Sequence, residues 1–570
     1  MARRRNATAR NRNTRARWVS IAVIAGSLIL LGRAIVHELS AEADVGPVAA
    51  SNSTGQPPTP APGGGFDVGP GQLTVTHDEP EATQTANAVA ACPGCDVVVI
   101  TVCSLRLDHV GVYGHRKGLT PAIDSIAKGG FHFSRAYAAS NFTLAGLTAL
   151  LTGRFGSSTG VTGWDKGLTK DIPTLPEVLG HYGYRTAAFT IDAPSGFRPD
   201  YGLDRGFQRM EIVDPPRDTP DGRARGGEPG PGGASADEVV HWLENTPDDK
   251  PVFAMFHTRS AHFPFVITDD GAQADATGMR QLLWDAGDTA AAAAGKAMPG
   301  MAGGTVQQGV VQMQGADPLQ VQVATVGEPA VAVWREAYAE AVGRMDIDVA
   351  RVLAAIDKRG RAEKTILLLV ADHGESLYDH LELLHGDAYF DGVVNVPMLM
   401  RVPGLVGRPK AISALVSHTD ILPTLLELVG ATIPANVDGA SMLPLLRGSA
   451  ESVRSTALVE GGVAKQVRGV PRGAVVSLPY TLLRQERGCG SPSGSDPPSK
   501  PGEPTTCLFD VKADPGQTTN LARAQREVVA DLIGRWDSFR ATKETDGQTL
   551  ELSPEMIKEL QRTGYDFRAP

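Results

Sequence analysis

Four stretches of the chain are nearly continuous apolar, β-branched runs: DVVVITV (96–102), YRTAAFTI (184–191), KPVFAMFHT (250–258) and TILLLVAD (365–372). A run of this kind, without polar alternation, reads as a strand covered on both faces. Between these runs the apolar positions recur at helical spacing in TPAIDSIAKGG, TLAGLTALLTG, TLPEVLGHYG and YAEAVGRMDIDVARVLAAIDKRG. Strands alternating with helices predict an α/β fold, a mostly parallel sheet sandwiched by helices. In such sheets the chemistry gathers beyond the carboxyl ends of the strands. After Arg401 the pattern changes. A helix is expected at TDILPTLLELVG, closing the main body; hairpin-like runs, CLFDVKADPGQTTNLA and a charged final helix then make a small C-terminal α+β subdomain over 431–570.

The flanks of the main body, 95–430, break the pattern. Residues 1–17 are a basic tail, and 18–36, WVSIAVIAGSLILLGRAIV, are apolar apart from Ser, Gly and Arg33. A basic end before a membrane-length segment predicts an export signal that crosses the membrane as an anchor if Arg33 snorkels to the interface. The small-residue triplet Ala41-Glu42-Ala43 offers a cleavage site. Retained, the segment makes a single-pass membrane protein; cleaved, a secreted one. Either outcome places the folded body outside the cytoplasm. Residues 44–90 hold too little apolar surface to offset ordering entropy and read as a flexible linker. Within the body, Ala272 to Val331 is rich in Ala, Gly, Met and Gln and reads as an insertion.

Composition narrows the partners. The 570 residues carry 54 Lys and Arg against 64 Asp and Glu, a net charge of -10, with no basic stripe in the body. This argues against nucleic acid as a partner. The five cysteines divide into Cys489 and Cys507 flanking a Gly/Ser/Pro-rich loop that a disulfide could staple, Cys92 and Cys95 in C-P-G-C, and Cys103 left over. No second half-site accompanies C-P-G-C, so a local disulfide is favoured there over a metal or redox role.

Polar clusters fall where the strands end. DVVVITV is followed by Cys103, Ser104, Arg106, Asp108 and His109; KPVFAMF by His257, Arg259 and His262; and TILLLV by Asp372, His373 and Glu375, with His380 and His385 beyond. Singly each has a plain explanation: a satisfied histidine, a capping Asp in a turn, a local Arg106–Asp108 ion pair. Together they outline a shared metal-and-anion site. Adjacent Asp372 and His373 pair a hard oxygen donor with an imidazole, suited to Mn, Zn or Mg. Thr143 opens a helix, whose free N–H groups suit an anion.

These residues lie within longer ordered signatures: VVVITVCSLRLDHVGVYG, TPAIDSIAKGGFHFSRAYA, TALLTGR, IPTLPEVLGHYGYRTAAF, ADHGESLYDH with HGDAYFDGVVNVPMLMRVPG, SHTDILPTLLELVG and LFDVKADPGQTTNLA. Through them the chain, from about Asp96 to Asn520, resembles the sulfatase branch of the alkaline phosphatase superfamily. The resemblance implies a sulfatase-like catalytic domain over 95–430 that hydrolyses sulfate or phosphate esters with a divalent metal ion, Zn, Mn, Mg or Ca. It places Asp372 and His373 as metal ligands, Cys103 where the first strand of the family carries a metal-binding acid, and Thr143 at the nucleophile position and on the metal. His262, in AHFPF, and His385 resemble histidines that contact the transferring group. His257 and Arg106 are the candidates for substrate binding. The expected substrate is a small-molecule, glycan or lipid ester.

The departures are equally specific. Sulfatases proper convert Cys or Ser in C/S-x-P-x-R to formylglycine, whereas Thr143 begins TLAGL, with Ala145 for the Pro and Leu147 for the basic residue. Oxidising a Thr yields a ketone, not the required aldehyde. C-S-L-R-L at Cys103 lacks the Pro and has Leu107 in place of the Arg. A Thr nucleophile resembles the phosphodiesterase and lipoteichoic-acid-synthase branches, where a metal-activated alkoxide attacks phosphorus. Two functions therefore stand open: an ester hydrolase acting through metal-activated Thr143, or a catalytically degenerate member that serves as a binding protein through the old cleft.

Overall fold

The computed structural model describes residues 91–191, 197–213, 233–262, 328–405 apart from 382 and 387, 410–461, 472–485 and 505–554, with a few short pieces between and after them. The chain divides into two units, residues 1–84 and 85–570. The first lies outside the described residues, as do the expected basic tail, the anchor and the whole linker; most of the expected insertion does too. Among the described residues no helix is long and apolar enough to cross a membrane.

The second unit is built on an eight-stranded sheet: β1 Asp96–Val102, β2 Phe131–Phe133, β3 Arg185–Ile191, β4 Arg209–Val213, β5 Val252–Thr258, β6 Thr365–Ala371, β7 Met398–Arg401 and β8 Lys410–Ile412, in the spatial order β8-β2-β7-β6-β1-β5-β3-β4. Strand β7 runs antiparallel to both its neighbours, and every other pairing is parallel. The three central strands β1, β5 and β6 are buried at every position. Covering both faces removes each Val, Ile or Leu side chain from water, a gain of roughly 1.5–3 kcal/mol apiece, and it explains the absence of polar alternation in these runs.

Helices α1 Pro121–Lys128, α4 Gly233–Asn245 and α5 Glu328–Lys358 pack on one another, as do α2 Thr143–Thr152, α3 Leu175–His181 and α6 Ile421–Val429. Helix α3 carries its own start signal, with Thr174 and Glu177 satisfying each other's backbone N–H groups. Helix α1 borrows its cap: the Asp346 carboxylate of α5 accepts from Ala122 N and Ile123 N, both at 2.9 Å. Helix α5 begins at Glu328, ten residues before the apolar period at Tyr338 announces it. The expected insertion therefore ends inside this helix, at a boundary that Ala-rich and Gly-rich text concealed.

The C-terminal portion forms an antiparallel meander, β9 Ala457–Gly461, β10 Arg472–Ser477, β11 Tyr480–Gln485 and β12 Thr505–Asp510, followed by helix α7 Arg526–Lys543. Trp536 of α7 is buried with Leu458, Val475, Leu482 and Leu508 of the meander. Cys489 and Cys507 form a disulfide, as do Cys92 and Cys95, while Cys103 is a buried free thiol. The meander also reaches the main sheet. Glu460 N donates to Ala139 O at 2.9 Å, and Ser140 Oγ donates to Glu460 O at 2.6 Å, which holds the loop that delivers Thr143.

Candidate active site

Register brings the chemistry together. Strand β1 pairs in parallel with β5 and β6, placing Thr101 beside His257 and Val102 beside Ala371 and Thr258. The pairing runs one step further, with Cys103 N bonded to Thr258 O at 2.9 Å and Asp372 N to Val102 O at 3.3 Å. Side chains two apart share a face of a strand. Thr101, Cys103, His257 and Asp372 therefore share a face at the carboxyl ends of three adjacent strands. All four are essentially excluded from water.

After Cys103 the chain turns abruptly, with Ser104 in the left-handed region at φ 64°. For a residue with a side chain this conformation is strained, and the surroundings must enforce it. They do so from two sides. Ser104 N donates to Asp372 Oδ1 at 3.2 Å, and Tyr338 of α5 donates its hydroxyl to Ser104 O at 2.7 Å while accepting from Arg106 N at 2.8 Å. The Arg106 guanidinium is bound within the protein: it donates to both Asp108 oxygens at 2.9 and 2.6 Å, to Glu375 O at 2.8 Å and to the Asp379 carboxylate. Proposed from sequence as a substrate-binding group, Arg106 is placed as a brace between the Cys103 loop and the Glu375 loop.

Thr143 meets this group from above as the first residue of α2, a helix buried along its whole length. Gly146 permits the approach, because a Cβ there would lie 2.9 Å from Asp372 O. The Thr143 hydroxyl lies 3.4 Å from Cys103 Sγ and 3.2 Å from His373 Nε2. His373 Nδ1 sits 2.8 Å from Gly374 O, and toward a carbonyl it can only donate. Its Nε2 therefore bears the lone pair and accepts from the Thr143 hydroxyl. Cys103 Sγ lies 3.8 Å from the same Nε2. Burial, then the Asp372 charge, pushes the Cys103 thiol well above its ordinary range. Asp372 gives Oδ1 to His373 N at 2.8 Å, while Oδ2 is buried without a hydrogen-bond partner.

A second cluster adjoins the first. The His385 ring packs 4.1 Å from that of His373 and 4.9 Å, edge-on, from that of His262. His385 Nδ1 lies 3.1 Å from Glu375 Oε1. Burial pushes Glu375 up to about 8 and His385 down to about 3, so both shifts disfavour the charged ion-pair form of this contact. Arg259 donates to His262 Nε2 at 3.1 Å, placing a guanidinium at the rim. The structure thus brings Cys103, Thr143, His257, His262, Asp372, His373 and His385 together.

Arg259 and Glu375 were visible in the strand-end clusters without a role attached. His418 carried no signal beyond its place in SHTD. It donates from Nε2 to Ala371 O at 2.9 Å and accepts at Nδ1 from Ala139 N at 3.4 Å, tying the end of β6 to the Thr143 loop. Burial holds it down at about 4, from an ordinary 6.5. The unfolded chain therefore takes up this proton first. The stability His418 lends is complete above pH 6.5 and is lost as pH falls through about 4, at about 1.4 kcal/mol per pH unit. Calorimetry should show the unfolding temperature declining across that window, with a shallower decline in His418→Gln; an unchanged slope would dismiss His418 as an acid-sensitive brace.

Residues 96–431 match the family model described as Sulfatase. The chain is 24% identical over 487 residues to a delta 4,5-hexuronate-2-O-sulfatase of Bacteroides thetaiotaomicron, covering 81% of this chain and 93% of that protein. It is 26% identical over 506 residues to arylsulfatase A of Bos taurus, covering 79% and 87%. Among solved structures, the phosphonate monoester hydrolase of Agrobacterium radiobacter superposes with a TM-score of 0.57 at 20% identity, covering 81% of this chain and 98% of that one. With the matched region spanning the whole sheet and every strand-end cluster described above, the chain belongs to the sulfatase family.

Proposed function

We propose that this protein is an extracytoplasmic hydrolase of sulfate or phosphate esters, borne by a glycan, lipid or small molecule, in which Thr143 is the nucleophile. The observation that carries the reading is the 3.2 Å contact from Thr143 Oγ1 to a His373 nitrogen that can only accept. It gives the hydroxyl proton a destination. In the first step the Thr143 oxygen bonds to sulfur or phosphorus, the proton passes to His373 Nε2, and the ester C–O oxygen leaves. His385 supplies that oxygen with a proton, with the Glu375 carboxyl 3.1 Å from its Nδ1 as the proton reserve. Glu375 then replenishes it. Arg259 and His262 face the negative charge of the ester oxygens. Water then attacks the same sulfur or phosphorus and gives a proton to Glu375, while the departing Thr143 oxygen takes its proton back from His373.

Sulfatase-family chemistry implies a divalent cation, and the residues fit one, since Asp372 Oδ2 and His257 Nε2 are buried without partners beside the Cys103 thiol. Asp372 and Cys103 would hold it beside the Thr143 hydroxyl, which leaves the lone pair of His373 Nε2 to take the Thr143 proton. When bound it supplies a lowered pKa to the Thr143 hydroxyl and offsets the charge that develops on the ester oxygens. The placement outside the cytoplasm rests on the basic and apolar N-terminal text and on two disulfides, which persist in oxidising compartments.

A second reading, a binding protein with a degenerate site, is favoured by Leu147, an apolar buried residue where the formylglycine motif has its Arg. Aryl sulfate, phosphomonoester, phosphodiester and phosphonate substrates, offered to protein reconstituted with Zn, Mn, Mg or Ca, separate the two. Turnover of one class with a covalent adduct on Thr143 by intact mass is the expected result. No turnover of any class under any metal leaves the binding protein.

A further inference from the structure

The position that the family fills with a carboxylate is here a thiol, and that exchange is not isolated. His257, one strand over, brings its ring into the same group, and its Nε2 is buried without a hydrogen-bond partner. One donor atom each from Cys103, His257 and Asp372 lies within 4.8 Å of the other two, and all three residues are buried. His257 is also prepared as a ligand. Its Nδ1 lies 2.9 Å from Thr101 Oγ1, which in turn donates to Phe256 O at 3.4 Å. With the Thr hydrogen used on that carbonyl, Thr101 Oγ1 accepts from Nδ1–H, and the buried Nε2 keeps its lone pair for a ligand. An outer hydrogen bond that sets the tautomer of an imidazole is the usual support of a metal-binding histidine.

From this we infer that the site has been converted from a hard-cation site to one selective for a borderline cation of the zinc(II) class, with Cys103, His257 and Asp372 as its ligands. Three arguments converge. A thiolate and an imidazole suit zinc, whereas calcium takes 6–8 oxygen donors. Two anionic ligands and one neutral ligand balance a dication in a space where uncompensated charge is costly. Three protein ligands leave one position open, and the Thr143 hydroxyl, 3.4 Å from Cys103 Sγ, adjoins it. Binding releases the thiol proton to solvent and forms a metal–sulfur bond, with no change of oxidation state.

Because the other four cysteines are paired in disulfides, a metal–thiolate signal reports Cys103 alone. The test uses the purified, chelator-treated protein titrated separately with Zn(II), Co(II), Ca(II) and Mg(II), with metal content measured after gel filtration. One zinc per chain is expected, undisturbed by millimolar Ca(II), and the Co(II) form should show the near-ultraviolet thiolate charge-transfer band. Cys103→Ser should abolish that band, and Cys103→Ser and His257→Gln should each weaken zinc by at least ten-fold. Tighter binding of Ca(II) than of Zn(II), a cobalt form without the band, or zinc affinity indifferent to His257→Gln would overturn the inference. None of these readouts requires turnover, so zinc bound without ester hydrolysis would sink the catalytic reading while leaving this one intact.

Discussion

Thr143→Val should lower kcat/KM by about 10³- to 10⁴-fold on whichever ester class is turned over, with the fold and metal content retained. Valine keeps the β-branched shape at the first position of α2 and removes only the hydroxyl, so the packing of this buried helix is preserved. What disappears is the hydrogen that His373 Nε2 accepts and the oxygen beside Cys103 Sγ. Leaving those atoms unpaired costs about 1–3 kcal/mol of stability, small against the loss of the nucleophile. Thr143→Ser should retain activity within about ten-fold, because the oxygen remains and only methyl packing is lost. Steady-state kinetics on the three proteins, with circular dichroism to check folding, measure this; a fully active Thr143→Val would remove Thr143 from the mechanism.

The largest expected effect on stability lies behind the site. Asp420 is fully buried and accepts from Ser417 N at 2.8 Å and Ala440 N at 2.7 Å, while Arg454 meets both its oxygens through Nε, at 2.7 Å, and a terminal nitrogen. Arg454→Met leaves that carboxylate with two backbone donors and no countercharge. Removing one partner of a buried pair costs about 3–5 kcal/mol. The loss also loosens the turn that carries His418, and through it the join between β6 and the Thr143 loop. Urea unfolding of Arg454→Met and of Arg454→Met/Asp420→Asn should show the double variant recovering part of the loss, since the stranded charge is gone. A change below about 1 kcal/mol in the single variant would mean that Asp420 is satisfied by backbone alone.

How much of this was legible depends on range. Strands β1, β3, β5 and β6 were readable because burial on both faces writes the same signal at every position. The short strands β2, β4, β7 and β8 were not read, since three to five residues carry no period; antiparallel β7 is defined only by the neighbours it pairs with. The strand-end clusters were legible as chemistry, and the family resemblance attached roles to most of them. Arg106 shows the limit of that approach. Its residue type fits substrate binding, yet its donors are engaged by Asp108, Asp379 and the Glu375 carbonyl, two of them some 270 positions away.

The sequence by itself determined the α/β alternation, the disulfide-compatible cysteine pairs, the loss of the formylglycine motif and the placing of reactive groups at strand ends, because each follows from local pattern or residue type. Only the tertiary structure decided which of those groups meet. Parallel register set His257 and Asp372 on the strands either side of Cys103, a buried glycine let Thr143 descend on them, and Thr101 met the ring of a histidine 156 residues away. These are relations between distant segments, and they exist only once packing has excluded water and left each donor a single available partner.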